Sequence, residues 1–277
     1  LRIRVVGIRR DEAAIVPRGD DQMLAGDDVY FVVDARHVSR AMAAFGHHEP
    51  EAHRVLIVGG GNIGQGLAED LAQAENRVEV SVIEIDKDRS ERVAEACPGA
   101  VVLCGDALDP EVLMEAGVAR AETVVAVSND DEVNILASLL AKRSGAGRAV
   151  TLVNKLGYGP LMRPLGIDVV VNPRAITVST ILQQIRRGRI HSVHLVSDDF
   201  GEILEAEALE TSILVGVPLR EARLPAGVIV AALVRGDEVQ IARPDTIISA
   251  GDRVVLFSVK DAVKAVERLF SVKLEFF

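Results

Sequence analysis

Apolar residues follow two different periods along the chain between residues 54 and 190. Short runs rich in Val and Ile predict buried strands, and each run precedes a longer segment with helical apolar spacing. Regular strand–helix alternation of this kind predicts a parallel, doubly wound sheet. The predicted strands cover residues 54–58, 78–83, 101–103, 123–127, 150–153 and 169–171, and the predicted helices cover 63–73, 88–96, 110–116, 132–143, 161–165 and 175–187.

The region before this alternation has a different pattern. Residues 1–46 predict short strands, among them a buried strand at 29–33 with β-branched and aromatic residues. A helix is predicted at 36–45, where apolar residues share one face. Gly, His and Pro then break the pattern, so we assign residues 47–53 to a linker.

The region after the alternation also changes character. Residues 191–277 predict short, paired strands with turns at 197–199 and 235–237, followed by a final helix at 261–270. This is the pattern of a small α+β module. The predicted fold class is therefore α/β, with a Rossmann-type domain at 54–190 and this small module behind it.

An internal repeat links the two outer regions. Residues 25–29 (Ala-Gly-Asp-Asp-Val) return as residues 250–254 (Ala-Gly-Asp-Arg-Val), an offset of 225 residues. The first 46 residues therefore correspond to the second half of a module whose complete copy is 191–277. We expect the chain to lack its original N-terminus and to be the tail of a tandem duplication. The same offset pairs Arg10 with Arg235, Arg18 with Arg243, Asp20 with Asp245 and Val38 with Val263.

The strongest local motif is Gly59-Gly60-Gly61-Asn62-Ile63-Gly64, which satisfies G-x-G-x-x-G between a predicted strand and a predicted helix. Gly59 permits the tight turn, Gly61 lets the backbone approach a pyrophosphate, and Gly64 lets the helix pack on the strand. The free N–H groups of the helix N-terminus would then bind phosphate. The alternative is a glycine-rich turn without a ligand.

A carboxylate supports the dinucleotide interpretation. Glu84 ends the second strand, 25 residues after Gly59, where an acid binds the hydroxyls of the adenine ribose. Its charge would repel a 2′-phosphate, so NAD is favoured over NADP. Asp86 is the rival position, the nearby Lys87 and Arg89 leave this preference open, and an exposed charged turn is the alternative to any ligand role.

Two further polar clusters follow predicted strands, where ligands gather in doubly wound sheets. Gly105-Asp106-Ala107 follows the third strand, and Ser128-Asn129-Asp130-Asp131 follows the fourth. The second cluster suits helix N-capping equally well, and the two roles are compatible. A P-loop is excluded, because Gln65 stands where Lys is required.

Composition narrows the classes of function. The net charge of −10 disfavours nucleic acid as a partner. Two cysteines without a CxxC pair fit a reducing cytoplasm, and no His, Cys or Asp spacing predicts a metal site. No apolar run reaches the ~18 residues that a membrane span needs.

These motifs resemble the TrkA family of bacterial potassium-uptake proteins. The glycine loop, Glu84, the Asp106 cluster and residues 127–134 resemble its TrkA-N (RCK-N) domain, and residues 224–257 resemble its TrkA-C (RCK-C) domain. The resemblance implies that NAD(H), or alternatively ATP or ADP, binds as a regulatory ligand. The predicted nucleotide-binding residues are Gly59, Gly61, Asn62, Ile63, Gly64, Glu84, Asp106, Ala107 and Asn129.

The resemblance also implies a function and a location. Such a protein would be a homo-oligomeric regulatory subunit on the inner face of the plasma membrane, would gate a TrkH- or TrkG-like potassium transporter, and would not be an enzyme. One alternative is an NAD-dependent dehydrogenase, for which His191, His194 and Lys155 are the candidate acid–base residues. Another is the soluble regulatory domain of a potassium channel or antiporter.

Overall fold

The computed structural model describes residues 2–11, 13–47, 52–73, 78–162, 164–185, 190–197 and 200–269. The chain forms two compact units: unit 1 combines Leu1–Glu49 with Ala175–Phe277, and unit 2 is Pro50–Arg174. The sequence pattern groups residues 175–190 with the Rossmann-type domain, whereas the contacts group them with unit 1. The domain boundaries 1–46, 47–53, 54–190 and 191–277 therefore stay predictions, and part of the predicted linker, residues 48–51, lies outside the described residues.

Strands outnumber helices in the described part of the chain. In chain order, the strands are β1 (Ile3–Arg10), β2 (Ala13–Ile15), β3 (Asp28–Val33), β4 (Arg54–Val58), β5 (Glu79–Glu84), β6 (Val101–Cys104), β7 (Thr123–Ala126), β8 (Arg148–Leu152), β9 (Val169–Val171), β10 (Ile190–Ser197), β11 (Gly201–Glu207), β12 (Val228–Arg235), β13 (Glu238–Ile241) and β14 (Arg253–Val259). The helices are α1 (Val38–Ala44), α2 (Asn62–Gln73), α3 (Lys87–Ala96), α4 (Pro110–Glu115), α5 (Asp131–Arg143), α6 (Gly159–Met162), α7 (Pro173–Ile185) and α8 (Val263–Leu269).

Unit 2 contains a six-stranded parallel sheet in the order β6-β5-β4-β7-β8-β9. This is the doubly wound arrangement predicted from the sequence, and the fold class is confirmed. Residues 55–58 of the central strand β4 are all buried, as expected for a strand with a packed layer on each face. Asp86, Asp109 and Asp130 cap the N-termini of α3, α4 and α5 through backbone N–H groups, which explains where these helices begin.

The predicted helix at 161–165 is wrong in position. The helix α6 spans Gly159–Met162. Residues 164 and 165 lie in a turn, because Pro164 has no N–H group with which to continue a helix. The helix predicted at 175–187 is α7, Pro173–Ile185, and its predicted last two residues lie outside the described residues.

Unit 1 contains two antiparallel sheets that repeat one arrangement. The orders are β2-β1-β3 in one sheet and β10-β11-β14-β12-β13 in the other. Adding 225 to the residue numbers of the first copy makes β1 correspond to β12, β2 to β13, β3 to β14 and α1 to α8. It even reproduces a β-bulge, which lies between Val5 and Gly7 in β1 and between Val230 and Ala232 in β12. The predicted partial second copy of the module is therefore confirmed.

One prediction for this region is wrong. The sequence pattern predicts a buried strand at 29–33, but every residue of β3 is only half-buried. β3 is the edge of its three-stranded sheet, whereas its counterpart β14 has neighbours on both sides and buries Val254, Leu256 and Phe257. The predicted turn at 235–237 lies between β12 and β13, whereas residues 198, 199 and 270 of the other predicted elements lie outside the described residues.

Both copies of the module contain the same ion pair, in which the aspartate side chain is buried and the arginine side chain is partly exposed. Arg10 binds Asp27 at 2.8 Å in the first copy, and Arg235 binds Asp252 at 2.7 Å in the second. Each aspartate also accepts a backbone N–H at 2.8 Å, from Leu24 and Ser249 respectively. The pair joins the end of β1 or β12 to the turn before the strand beside it in the sheet, β3 or β14.

These pairs make the stability of unit 1 sensitive to acid. Hydrogen bonds from Arg10 and Leu24 lower the pKa of Asp27 to about 2, and Arg235 lowers the pKa of Asp252 although burial opposes it. A depressed pKa in the folded state gives stability that is complete above the unfolded value of about 3.9 and is lost as the pH falls through the folded value.

We therefore expect the melting temperature of the chain to fall between about pH 4 and about pH 2. Thermal unfolding followed by circular dichroism over this range would measure it. The variant Asp27→Asn/Asp252→Asn should melt lower at neutral pH and depend less steeply on pH. An unchanged acid dependence in this variant would show that other carboxyls govern it.

A small aromatic core lies where the two copies of the module pack together inside unit 1. Phe200 is buried with its ring centroid 5.2 Å from the rings of both Tyr30 and Phe257. Gly7 in β1 lies directly against Phe200: a Cβ at Gly7 would be 2.3 Å from its ring. The absence of a side chain at Gly7 is therefore what lets the phenylalanine ring enter this core.

Candidate nucleotide-binding site

The glycine loop lies at the carboxyl end of β4, where the sheet order reverses between β4 and β7. Ligands bind at such a switch point in open parallel sheets. Two cavities flank the loop, one of about 620 Å³ and one of about 290 Å³. Of the nine predicted site residues, all except Gly64 line at least one of them.

The loop geometry depends on two glycines. Gly59 has a φ of +100°, and a Cβ there would lie 2.8 Å from the backbone nitrogen of Ser128. Gly64 lies inside α2, and its Cβ would be only 1.8 Å from the carbonyl oxygen of Gly59. Gly64 therefore acts by letting the helix close on the loop and does not face either cavity. Around Gly61 the space is open, and this residue lines both cavities.

Glu84 is the buried carboxylate of the smaller cavity. Its side chain is only 3% exposed, so the alternative of an exposed charged turn is wrong for this residue. Its oxygens accept the N–H groups of Gly60 at 2.6 Å and Asp86 at 2.9 Å, and the guanidinium of Arg89 lies 3.6 Å away. The carboxylate thus stabilises the glycine loop, and its remaining lone pairs can accept a hydrogen bond from a ligand hydroxyl. The rival Asp86 caps α3 instead and is not among the described lining residues.

The smaller cavity has the character of a nucleoside site. Asp106 and Ala107 line it after β6, and Ser128 and Asn129 line it after β7. One oxygen of Asp106 accepts the N–H of Leu108 at 2.8 Å, which fixes the turn after the strand. Apolar walls from Val58, Ile83 and Val133 complete the cavity, so it can hold a flat ring with hydroxyl groups at one side.

The larger cavity suits an anion. Arg89 and Arg92 line it together with Asn62 at the start of α2, and its described lining contains no acidic residue. Guanidinium groups and a helix N-terminus both attract phosphate. Neither arginine is among the site residues predicted from the sequence, where Arg89 only leaves the choice between NAD and NADP open. Their spacing of three residues on a predicted helix places both on one face, and this is the signal that could have found them.

Two buried side chains of α5 hold the loops that form this cavity. The amide of Asn134 accepts the N–H of Ser128 at 2.7 Å and donates to the carbonyls of Ser128 and Leu152, both at 3.0 Å. Asp131 accepts the backbone N–H groups of Asn154 and Lys155. Burial opposes ionisation of Asp131, but these bonds outweigh it and keep its pKa below the ordinary value. The loops after β7 and β8 are thereby fixed to one helix.

Two of the three residues weighed for acid–base chemistry, His191 and Lys155, contact glutamates. His191 lies 3.6 Å from Glu207. Lys155 forms an ion pair with Glu132, and this pairing lowers the pKa of Glu132 to about 2 and raises the pKa of Lys155. His191, His194 and Lys155 are not among the described residues that line the two cavities. In the described ranges, no cluster of three or more His, Cys, Asp or Glu could hold a metal ion. No helix in those ranges is long and apolar enough to span a bilayer.

Comparisons with known proteins agree with this architecture. The family model described as TrkA-N domain matches residues 55–173, and the model described as TrkA-C domain matches residues 1–46 and 203–271. The Trk system potassium uptake protein TrkA of Azorhizobium caulinodans is 48% identical over 99% of this chain, and that of Haemophilus influenzae is 37% identical over 96%. The chain spans 60% and 58% of the lengths of these two relatives.

The fold itself has a counterpart among solved structures. The crystal structure of the GsuK RCK domain aligns with a TM-score of 0.50 and 20% sequence identity. The alignment covers 97% of this chain and 57% of that one. At this identity the likeness concerns the fold alone.

Proposed function

Because this chain belongs to the TrkA family, we propose that it is part of a regulatory subunit that binds NAD(H) and thereby gates a membrane potassium transporter. One observation carries the proposal: a glycine loop at the switch point of unit 2 lies between a cavity with a buried carboxylate and a cavity with two arginines. A dinucleotide has the matching chemistry, with ribose hydroxyls beside Glu84 and a pyrophosphate beside the helix N-terminus.

The regulatory part of the proposal is supported by the names of the relatives and by the contacts that two candidate acid–base residues, His191 and Lys155, make with Glu207 and Glu132. The relatives are named as Trk system potassium uptake proteins. A bound nucleotide would shift the balance between two arrangements of a homo-oligomer through different affinities for them. A TrkH- or TrkG-like transporter at the inner face of the plasma membrane is the proposed partner, and ATP or ADP is the proposed competing ligand.

Calorimetric titration of the chain with NADH, NAD, NADPH, ATP and ADP tests the binding step. Saturable binding without turnover supports regulation, whereas oxidation of NADH with a small carbonyl substrate would establish a dehydrogenase. Absence of binding for all five nucleotides would overturn the proposal. Potassium uptake by vesicles that contain the transporter and the regulatory protein, measured with and without nucleotide, tests gating.

Replacement of Glu84 tests its proposed role toward the ligand. Glutamine offers one acceptor oxygen where Glu84 uses two for the N–H groups of Gly60 and Asp86, so the change in preference between NADH and NADPH, and not the loss of affinity alone, distinguishes the ligand role from a structural one. Glu84→Gln keeps the shape but removes the charge, so we expect NADH to bind about 10- to 100-fold more weakly, since hydrogen bonds to charged groups contribute roughly 1.5–3 kcal/mol. The preference for NADH over NADPH should shrink, because the repulsion of a 2′-phosphate is removed. Isothermal titration calorimetry gives both constants.

The matched control is Asp86→Asn, two residues away. Asparagine also caps helices, so α3 should keep its N-terminus and the affinity for NADH should stay within about twofold. Equal losses of affinity in the two variants would argue that the charge of the whole turn matters, and not the position of Glu84.

A further inference from the structure

The ligand contacts proposed above for the glycine loop and Glu84 do not involve Asn154. It follows β8 closely, in the half of the sheet formed by β7, β8 and β9, and it lines the larger cavity with its side chain half-buried. In dinucleotide-binding sheets, one half of the sheet holds the adenosine and the other half holds the second nucleoside. Glu84 and Asp106 mark the first half in unit 2, which leaves Asn154 beside the second.

Asp131 fixes the orientation of the Asn154 amide. Both carboxylate oxygens accept the backbone N–H of Asn154, at 2.9 and 3.0 Å, and one of them also accepts its Nδ2 at 3.0 Å. A carboxylate can only accept hydrogen bonds, so it selects the nitrogen end of the amide. The depressed pKa of Asp131 keeps this selection in force at neutral pH.

The oxygen end of the amide is then the end available to a ligand. Within the described part of the chain, we find no protein donor to Oδ1 of Asn154. An amide oxygen attracts an N–H or O–H donor, whereas an ionised phosphate offers only acceptors and gains nothing from it. The cavity thus combines arginines for phosphate with one oriented acceptor for a different group.

We infer that Asn154 is a specificity-determining residue that accepts a hydrogen bond from the non-adenine nucleoside of a dinucleotide. The donor is the N–H of a nicotinamide carboxamide or a hydroxyl of the ribose attached to it. This inference rests on the proposed function of unit 2. It predicts that the site distinguishes NAD(H) from ADP, which has the adenosine and both phosphates but no second nucleoside.

The test compares NADH and ADP binding to the 277-residue chain and to its Asn154→Ala variant. The variant keeps the backbone N–H that binds Asp131, so the loop after β8 keeps that anchor. We expect NADH to bind about three- to tenfold more weakly, the value of one neutral hydrogen bond. Binding of ADP should change by less than about twofold. Should Asn154→Ala unfold, Asn154→Ser serves the same comparison, because its hydroxyl is too short to replace the amide.

The matched control is Ser138→Ala. Ser138 is as buried as Asn134, lies one helical turn further along α5, and bonds across to Thr151 of β8 at 2.7 Å. Loss of this hydroxyl should lower the melting temperature and leave the affinities for NADH and ADP unchanged.

A second comparison identifies the donor on the ligand. The dinucleotide with nicotinic acid in place of nicotinamide should bind the wild-type chain more weakly than NAD if the carboxamide donates, and with the same affinity as NAD if the ribose donates.

The possible failures are distinguishable. Wild-type chain that binds neither nucleotide would overturn the proposed function and this inference with it. Wild-type chain that binds both, combined with equal losses or no losses in Asn154→Ala, would overturn the inference alone. A Ser138→Ala variant with the same selective loss of NADH binding would also overturn it, because the effect would then belong to the α5–β8 contact in general.

Discussion

Replacing Gly64 with alanine is expected to abolish nucleotide binding and to destabilise unit 2. The added Cβ would lie 1.8 Å from the carbonyl oxygen of Gly59 and 3.3 Å from Cγ2 of Ile57. A backbone oxygen cannot rotate away as a side chain can, so α2 must move off β4 and carry its N-terminus away from both cavities. We expect a loss of about 2–4 kcal/mol in the free energy of unfolding and at least about 100-fold in affinity for NADH.

The control for this prediction is in the same helix. Gly66→Ala makes the same chemical change two residues later, where a Cβ would meet nothing within 4 Å. It should be neutral or stabilise the helix by up to about 1 kcal/mol, since alanine is the better helix former. Thermal unfolding and NADH titration of both variants give the result. Similar behaviour of the two would contradict the close approach of α2 to the glycine loop.

Replacing Phe200 with alanine should destabilise unit 1 by about 3–5 kcal/mol, the usual cost of removing a fully buried phenylalanine. Its ring is buried between Tyr30 of the first copy of the module and Phe257 of the second. The change therefore opens a cavity where the two copies meet. Nucleotide affinity should be unaffected, because Phe200 is not among the described lining residues of either cavity.

Two further variants test this explanation by chemical denaturation. Phe45→Ala removes an identical ring that is only half-buried and stacks on Phe31 at 5.0 Å, so it should cost no more than about 2 kcal/mol. Adding Gly7→Leu to Phe200→Ala fills the vacated space from the opposite side, and the double variant should be more stable than Phe200→Ala alone. A double variant that is no more stable than Phe200→Ala would show that a side chain at Gly7 does not reach the vacated space.

The nine predicted site residues illustrate what a local motif can and cannot predict. The glycine loop and Glu84 were predictable because backbone conformation, helix initiation and strand ends follow from a few neighbouring residues. That Glu84 binds the N–H of Gly60 was not, since this bond joins residues 24 positions apart. Asn154 was missed for the same reason: its orientation depends on Asp131, and only the packing of α5 on β8 brings the two together.

The alternation of strands and helices, the glycine loop and the repeat at 225 residues could all be predicted from the amino-acid sequence, because periodicity and backbone-specific residues act over short distances. Which copy of a repeated element is buried depends instead on the packing of the folded chain. β3 and β14 have related sequences, yet one is an edge strand and the other a central one. Likewise, only packing placed Phe200 against Gly7 and Asn154 against Asp131, since burial and side-chain pairing depend on neighbours that the chain supplies from distant positions.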